Sequence, residues 1–269
     1  MIHFIKKGEW LGVELNKIYL GDAYKLIKEM PDKSVDLIMT DPPYEIKGIH
    51  KPTGIVKKKG MTYSTELNES GLCVGIDLKI LDDLVRVMKK INIYIWCNKE
   101  QIYDYLTYFV KERKCNWEMI IWAKDNPPPF VCGHYLKDKE YCLYFWERGV
   151  KVQPTFETGK TVYLTSTNIS DKKDYGHPTI KDIEIVKTLI QNSTGGGIEN
   201  KAIVFDPFVG SGTTCLAAKR LGLNYIGFEI NEKYYKIACD RLQGINQKGV
   251  MNLFDLDYDL QGNDDTTTD

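Results

Sequence analysis

The chain has 269 residues, 43% of them apolar and 27% charged, with a formal net charge of −1. Such a length excludes a small stapled scaffold, and near-neutrality excludes a global positive field, so a polyanionic partner would have to meet a local basic surface. Cys73, Cys97, Cys115, Cys132, Cys142, Cys215 and Cys239 form no CxxC pair and no apolar run nears a membrane span, which predicts reduced thiols, no metal and a cytoplasmic, membrane-free protein without a signal peptide.

In chain order, residues 22–29 carry Ala23, Leu26 and Ile27 at helical spacing behind Asp22 as N-cap, and Pro31 ends the pattern. The apolar run 35–39 predicts a strand that delivers Asp41 at its carboxyl end. Residues 45–70 are rich in Lys, Gly, Thr and Ser and predict a mobile loop. Helix and strand then alternate: a helix over 80–90, a strand over 91–97, a helix over 101–111 and a strand over 117–122. Asn126-Pro127-Pro128-Pro129 interrupts, because proline cannot donate to a ladder. A strand over 141–146 follows, and then a polar, weakly patterned stretch over 147–176.

Residues 180–190 form an amphipathic helix pattern, with Ile183, Val186, Leu189 and Ile190 on one side. A strand over 202–205, a glycine-rich turn, a helix over 214–221, a strand over 224–230 and a helix over 233–242 complete the pattern. This alternation predicts an α/β fold with a mostly parallel sheet covered on both faces. One catalytic domain over 1–262 is expected, followed by a disordered tail over 263–269.

Two segments carry chemistry. In the first, Asp206-Pro207-Phe208-Val209-Gly210-Ser211-Gly212-Thr213-Thr214, a strand ends at Asp206 and a helix starts beyond two glycines. Doubly wound folds hold the polar part of an adenosine cofactor on such a turn. Glu229 closes the next strand, 17 residues after Gly212, near the spacing expected of a carboxylate that accepts from two ribose hydroxyls. A nicotinamide oxidoreductase would use the same turn, although Cys215 stands where the dinucleotide fingerprint has its third glycine.

The second is Asp41-Pro42-Pro43-Tyr44. The exocyclic amine of a base is a poor nucleophile because its lone pair is delocalised into the ring. Two acceptors aimed at its N–H groups favour a pyramidal nitrogen. Asp41 supplies one and the Pro42 carbonyl a second, with the prolines fixing φ so that the arrangement is pre-organised. Tyr44 offers a ring on which an extruded base can stack. A turn is the bland alternative for the tetrapeptide alone, as is a non-catalytic DNA-binding module for the chain.

Together these blocks resemble the β group of amino-DNA methyltransferases, in which the catalytic block precedes the cofactor block. The resemblance runs from about Ile18 to Leu242 and takes in Tyr19-Leu20-Gly21-Asp22-Ala23, Trp122-Ala123-Lys124-Asp125-Asn126-Pro127 and His177-Pro178-Thr179 with Lys181. It implies a Rossmann-like methyltransferase fold with a mixed seven-stranded sheet, S-adenosylmethionine as cofactor and DNA as partner. It implies that Asp22 and Ala23 lie at the cofactor's adenine, that Thr179 and Lys181 lie near its carboxylate, and that Asp41, Asp206, Phe208, Gly210, Ser211, Gly212, Thr213 and Glu229 complete the cofactor set. Asp at the head of the motif favours adenine N6 over cytosine N4. The family's usual Gln-Lys-Pro after His-Pro-Thr is replaced by Ile180-Lys181-Asp182, which leaves the start of that helix and the Lys181 contact open.

Trp122 and Phe130 are candidates for the other wall of the base pocket. Residues 147–176, with Lys151, Lys160, Lys172 and Lys173, are the candidate target-recognition insertion. A homodimer and a cognate restriction endonuclease encoded elsewhere stay open as protein partners.

Overall fold

The computed structural model describes residues 13–44, 75–127, 135–166, 173–176, 179–195 and 201–246. The expected loop over 45–70, Phe130, His177, Pro178 and the expected tail lie outside them. The described residues form one eight-stranded sheet in the order β1-β8-β7-β2-β3-β5-β4-β6. Its strands are β1 (Lys17–Leu20), β2 (Leu37–Thr40), β3 (Asn92–Cys97), β4 (Asn116–Lys124), β5 (Lys139–Trp146), β6 (Val162–Thr165), β7 (Ile203–Asp206) and β8 (Asn224–Glu229). All neighbours are parallel except at β5, which runs against both β3 and β4. The sheet is therefore mixed, as expected, with eight strands rather than seven. The extra pairing comes from β6, inside the weakly patterned 147–176 stretch, which adds to β4 at the sheet edge.

β2 and β3 are buried along their whole length, as the continuous apolar runs predict for central parallel strands. Alternate residues serve opposite faces. Ile93, Ile95 and Cys97 of β3 join one core with the helices α1 (Ala23–Leu26), α2 (Ile80–Val87) and α3 (Ile102–Leu106). Tyr94 and Trp96 join the other, with α4 (Ile183–Ser193), α5 (Thr213–Arg220) and α6 (Glu232–Leu242). The helix expected over 80–90 stops at Val87, where Met88 turns extended and Asn92 opens β3.

The buried Asn92 ties the layers. Its amide donates to Asp36 O at 3.0 Å and to Ser193 O at 3.1 Å, and its carbonyl accepts from Tyr144 at 2.9 Å. The helix expected over 180–190 begins instead at Ile183. Asp182 caps it, accepting from the Glu184 and Ile185 N–H groups. No described helix is long and apolar enough to cross a membrane.

Candidate active site

β2 and β7 are parallel neighbours, with Ile38 opposite Phe205. Their carboxyl ends therefore bring Asp41 and Asp206 to one edge of the sheet, where open α/β folds bind ligands. Two hydroxyls lock the strands together there. Thr40 Oγ1 donates to Asp206 Oδ1 at 2.9 Å, and Thr214 Oγ1 donates to Met39 O at 3.2 Å. Burial pushes the Asp206 carboxyl up to about 7, against the Phe208 N–H and the Thr214 and Thr40 hydroxyls.

A cavity of about 630 Å³ opens at this edge, within the size range of small-molecule sites. Asp22, Ala23, Phe208, Gly210, Ser211 and Glu229 border one part of it, and Asp41, Pro42, Pro43 and Tyr44 another. Asp206, Thr213, Thr179 and Lys181 also border it. Gly212 does not border the cavity but makes the turn possible. Its φ is +83°, and a Cβ there would lie 3.0 Å from that of Ala238. Trp122 lies behind the wall, buried, with Nε1 donating to Thr165 Oγ1 at 2.7 Å. Trp96, edge-on against it, is the tryptophan that borders the cavity.

The first part fits an adenosine-type cofactor. Glu229 is pinned by two backbone groups, with Oε2 accepting from Gly210 N at 2.7 Å and Oε1 from Asn231 N at 2.8 Å. Each oxygen keeps a lone pair for a hydroxyl. Burial raises the Glu229 carboxyl, and these N–H groups oppose the rise. Asp22 caps α1 by accepting from Tyr24 N. The loop between β7 and α5 is held from below by Arg241, whose Nη1 donates to Ser211 O at 3.0 Å and Thr213 Oγ1 at 2.9 Å.

The part around Asp41-Pro42-Pro43-Tyr44 is more tightly wired than the motif alone suggests. Gln101 Nε2 donates to Pro43 O at 3.3 Å, anchoring the proline pair from α3's N-terminal edge. Lys181 pairs with Asp41 Oδ2, lies 3.1 Å from Glu140 Oε2 and donates to the Tyr44 hydroxyl at 3.3 Å. Glu140 in turn pairs with Lys124. Asp41 Oδ1 is buried and has no hydrogen-bond partner among the described residues. Burial pushes the Asp41 carboxyl up and Lys181 opposes it. Burial would do the same to Glu140, but Lys181 and Lys124 outweigh it and hold that carboxyl at about 2.

Sequence reading missed Glu140, Gln101 and Arg241. Glu140 and Gln101 each end a polar run, Lys137-Asp138-Lys139-Glu140 and Asn98-Lys99-Glu100-Gln101, and Arg241 follows Asp240, so no spacing marks a partner.

A profile for DNA methylases covering the N6 and N4 enzymes matches residues 35–240, more than half of the chain. The chain belongs to this DNA methylase family. It is 28% identical over 254 residues to the type II methyltransferase M2.DpnII of Streptococcus pneumoniae, covering 86% of this chain and 92% of that one. It is 30% identical over 242 residues to the type II methyltransferase M2.LlaDCHI of Lactococcus lactis subsp. cremoris, covering 82% and 87%. The solved M1.HpyAVI–SAM complex superposes with a TM-score of 0.60 at 26% identity, covering 84% of this chain and 99% of that one. This DNA methylase thus has the methyltransferase fold, and S-adenosylmethionine is the donor such enzymes use. The nicotinamide alternative is set aside by the family match.

Proposed function

We propose that this DNA methylase transfers a methyl group to the exocyclic N6 amine of adenine at a specific DNA sequence, with Asp41 and the Pro42 carbonyl as the amine's acceptors. One observation carries the reading. Among the described residues Asp41 Oδ1 is a buried acceptor without a donor, at the end of the strand that adjoins the glycine loop. Leaving such an atom unsatisfied costs about 1–3 kcal/mol, which an entering N–H group recovers.

S-adenosylmethionine, when bound, supplies an electrophilic sulfonium methyl. Glu229 accepts from its ribose hydroxyls, Asp22 and Ala23 sit at its adenine, and Phe208, Gly210, Ser211 and Thr213 surround its methionine part. Asp41 and the Pro42 carbonyl draw on the two N–H groups of the target amine and leave its lone pair free to attack. As the N–C bond forms and the methyl's bond to sulfur breaks, the nitrogen gains positive charge, which the Asp41 carboxylate stabilises until one N–H proton passes to solvent. Tyr44 stacks on the extruded base, with Trp96 of β3 on the same cavity.

Exposed Lys137 and Lys139 border the cavity and suit DNA phosphates. Residues 147–176 serve target recognition in this reading, anchored to α4 where Gln153 N donates to Asn192 O at 2.8 Å. One catalytic domain, a cytoplasmic setting, a homodimer and a cognate restriction endonuclease encoded elsewhere belong to the same reading.

Nucleoside analysis of DNA methylated by the purified protein should find 6-methyladenine; 4-methylcytosine alone would move the assignment to cytosine N4. Asp41→Ala should lower kcat by at least about 100-fold, the scale of losing one pre-organised electrostatic group. Full methyl incorporation by that variant would sink the Asp41 assignment.

A further inference from the structure

Four charged side chains of alternating sign meet beneath the catalytic motif: Asp41, Lys181, Glu140 and Lys124. They come from the end of β2, the segment leading into α4, the start of β5 and the end of β4. The Lys181 side chain is 8% exposed, and those of Asp41 and Glu140 are 25% and 22%. Taking ions out of water costs several kcal/mol each, and well-packed apolar residues often serve stability as well as a buried pair does. Stability therefore gives little reason for this cluster. Its position against Asp41 gives a better one.

We propose that Lys181 and Glu140 are positioning residues for methyl transfer: Glu140, braced by Lys124, fixes the Lys181 ammonium, and Lys181 holds the Asp41 carboxylate through Oδ2, leaving Oδ1 as the acceptor for the target amine. The inference rests on the Asp41 reading above. It differs from the role that the family resemblance gives Lys181, a contact to the cofactor's carboxylate. Lys181 has two protein carboxylates as partners, and both lie at the catalytic motif.

The surroundings make Lys181 hard to replace. Asp41 is faced by Tyr44 from its own segment, Cys97 from β3, Tyr105 from α3, Glu140 and Cys142 from β5 and Asp206 from β7. None of those supplies positive charge. Lys181 does, and the carboxylate that Lys124 pairs with among the described residues is Glu140. Burial would lower the Lys181 ammonium, but Asp41 and Glu140 outweigh it and keep it charged. Without Lys181, Asp41 would face Glu140 and Asp206 unshielded and would take up a proton at higher pH.

The test uses the full chain, tritiated S-adenosylmethionine and unmethylated bacterial genomic DNA, with cofactor affinity measured separately by calorimetry. Lys181→Met and Glu140→Gln should each lower kcat by about 10–100-fold, the scale on which outer partners tune a reactive group, with cofactor Kd changed by less than about two-fold. The acid limb of the Lys181→Met kcat profile should move to higher pH, and Lys181→Arg should recover part of kcat. Wild-type kcat in both variants overturns the proposal, as does a loss expressed wholly as weaker cofactor binding. Asp41→Ala is the control: inactive beside fully active Lys181→Met and Glu140→Gln, it refutes the positioning role alone; fully active, it refutes the Asp41 reading itself. If Lys181→Met does not fold, the near-isosteric Glu140→Gln decides.

Discussion

Asp206 shows how burying one carboxyl ties stability to pH. Its carboxyl is 2% exposed, accepts from Thr40 and Phe208, and is pushed up to about 7 from an ordinary 3.8. Between those values the folded state binds the proton more tightly than the unfolded chain does. The contribution to stability is therefore fully present below about pH 4 and is lost as pH rises through about 7. Asp206→Asn, which cannot ionise, should flatten that slope. Urea midpoints of both proteins from pH 5 to pH 8 check it, and parallel curves would show that Asp206 is not the titrating group. Gly212 illustrates the opposite case, in which the sequence is transparent. Two glycines after a strand predicted a tight turn, and the +83° φ with Ala238 against it supplies the reason.

At the scale of elements, the departure at Asp182 is a replacement of one helix start by another. Where the family usually has proline, which suits a helix entrance without needing a donor, this chain has an aspartate that accepts from the Glu184 and Ile185 N–H groups. Asp182→Ala should lower stability by about 1 kcal/mol, read as a shift in the urea midpoint. An unchanged midpoint would mean that α4 is held by packing alone. The cap also fixes the chain beside Lys181, so the same variant should lower kcat. β5 explains why Glu140 was not legible. Residues 141–146 read as a strand, but no periodicity reveals direction. Because β5 runs against its neighbours, its first residues, not its last, lie at the sheet edge that carries Asp41, with Tyr141 opposite Cys97. A reader expecting parallel strands looks for function at the wrong end.

For the whole molecule, a net charge of −1 leaves DNA attraction to local lysines. Lys137 and Lys139 at the cavity rim are the test. The Lys137→Ala, Lys139→Ala double variant should reduce the slope of log K against log salt by about 1–2, since each phosphate contact contributes about 0.9. An unchanged slope would place the DNA elsewhere. The sequence by itself determined the element types along most of the chain, the two chemical blocks and their order, because apolar periodicity, proline and glycine act locally. It did not determine β1 or β6, which are short and held by pairing rather than pattern: β1 against β8, β6 against β4. Nor did it determine what surrounds the tetrapeptide after β2. Asp41-Pro42-Pro43-Tyr44 could be read as chemistry, but Lys181 and Gln101 reach it from two other parts of the chain, and Glu140 and Lys124 stand behind Lys181 from two more. Only the tertiary structure decides that, because an ion pair between residues 140 positions apart is fixed by strand order and strand direction, and neither leaves a mark on local sequence.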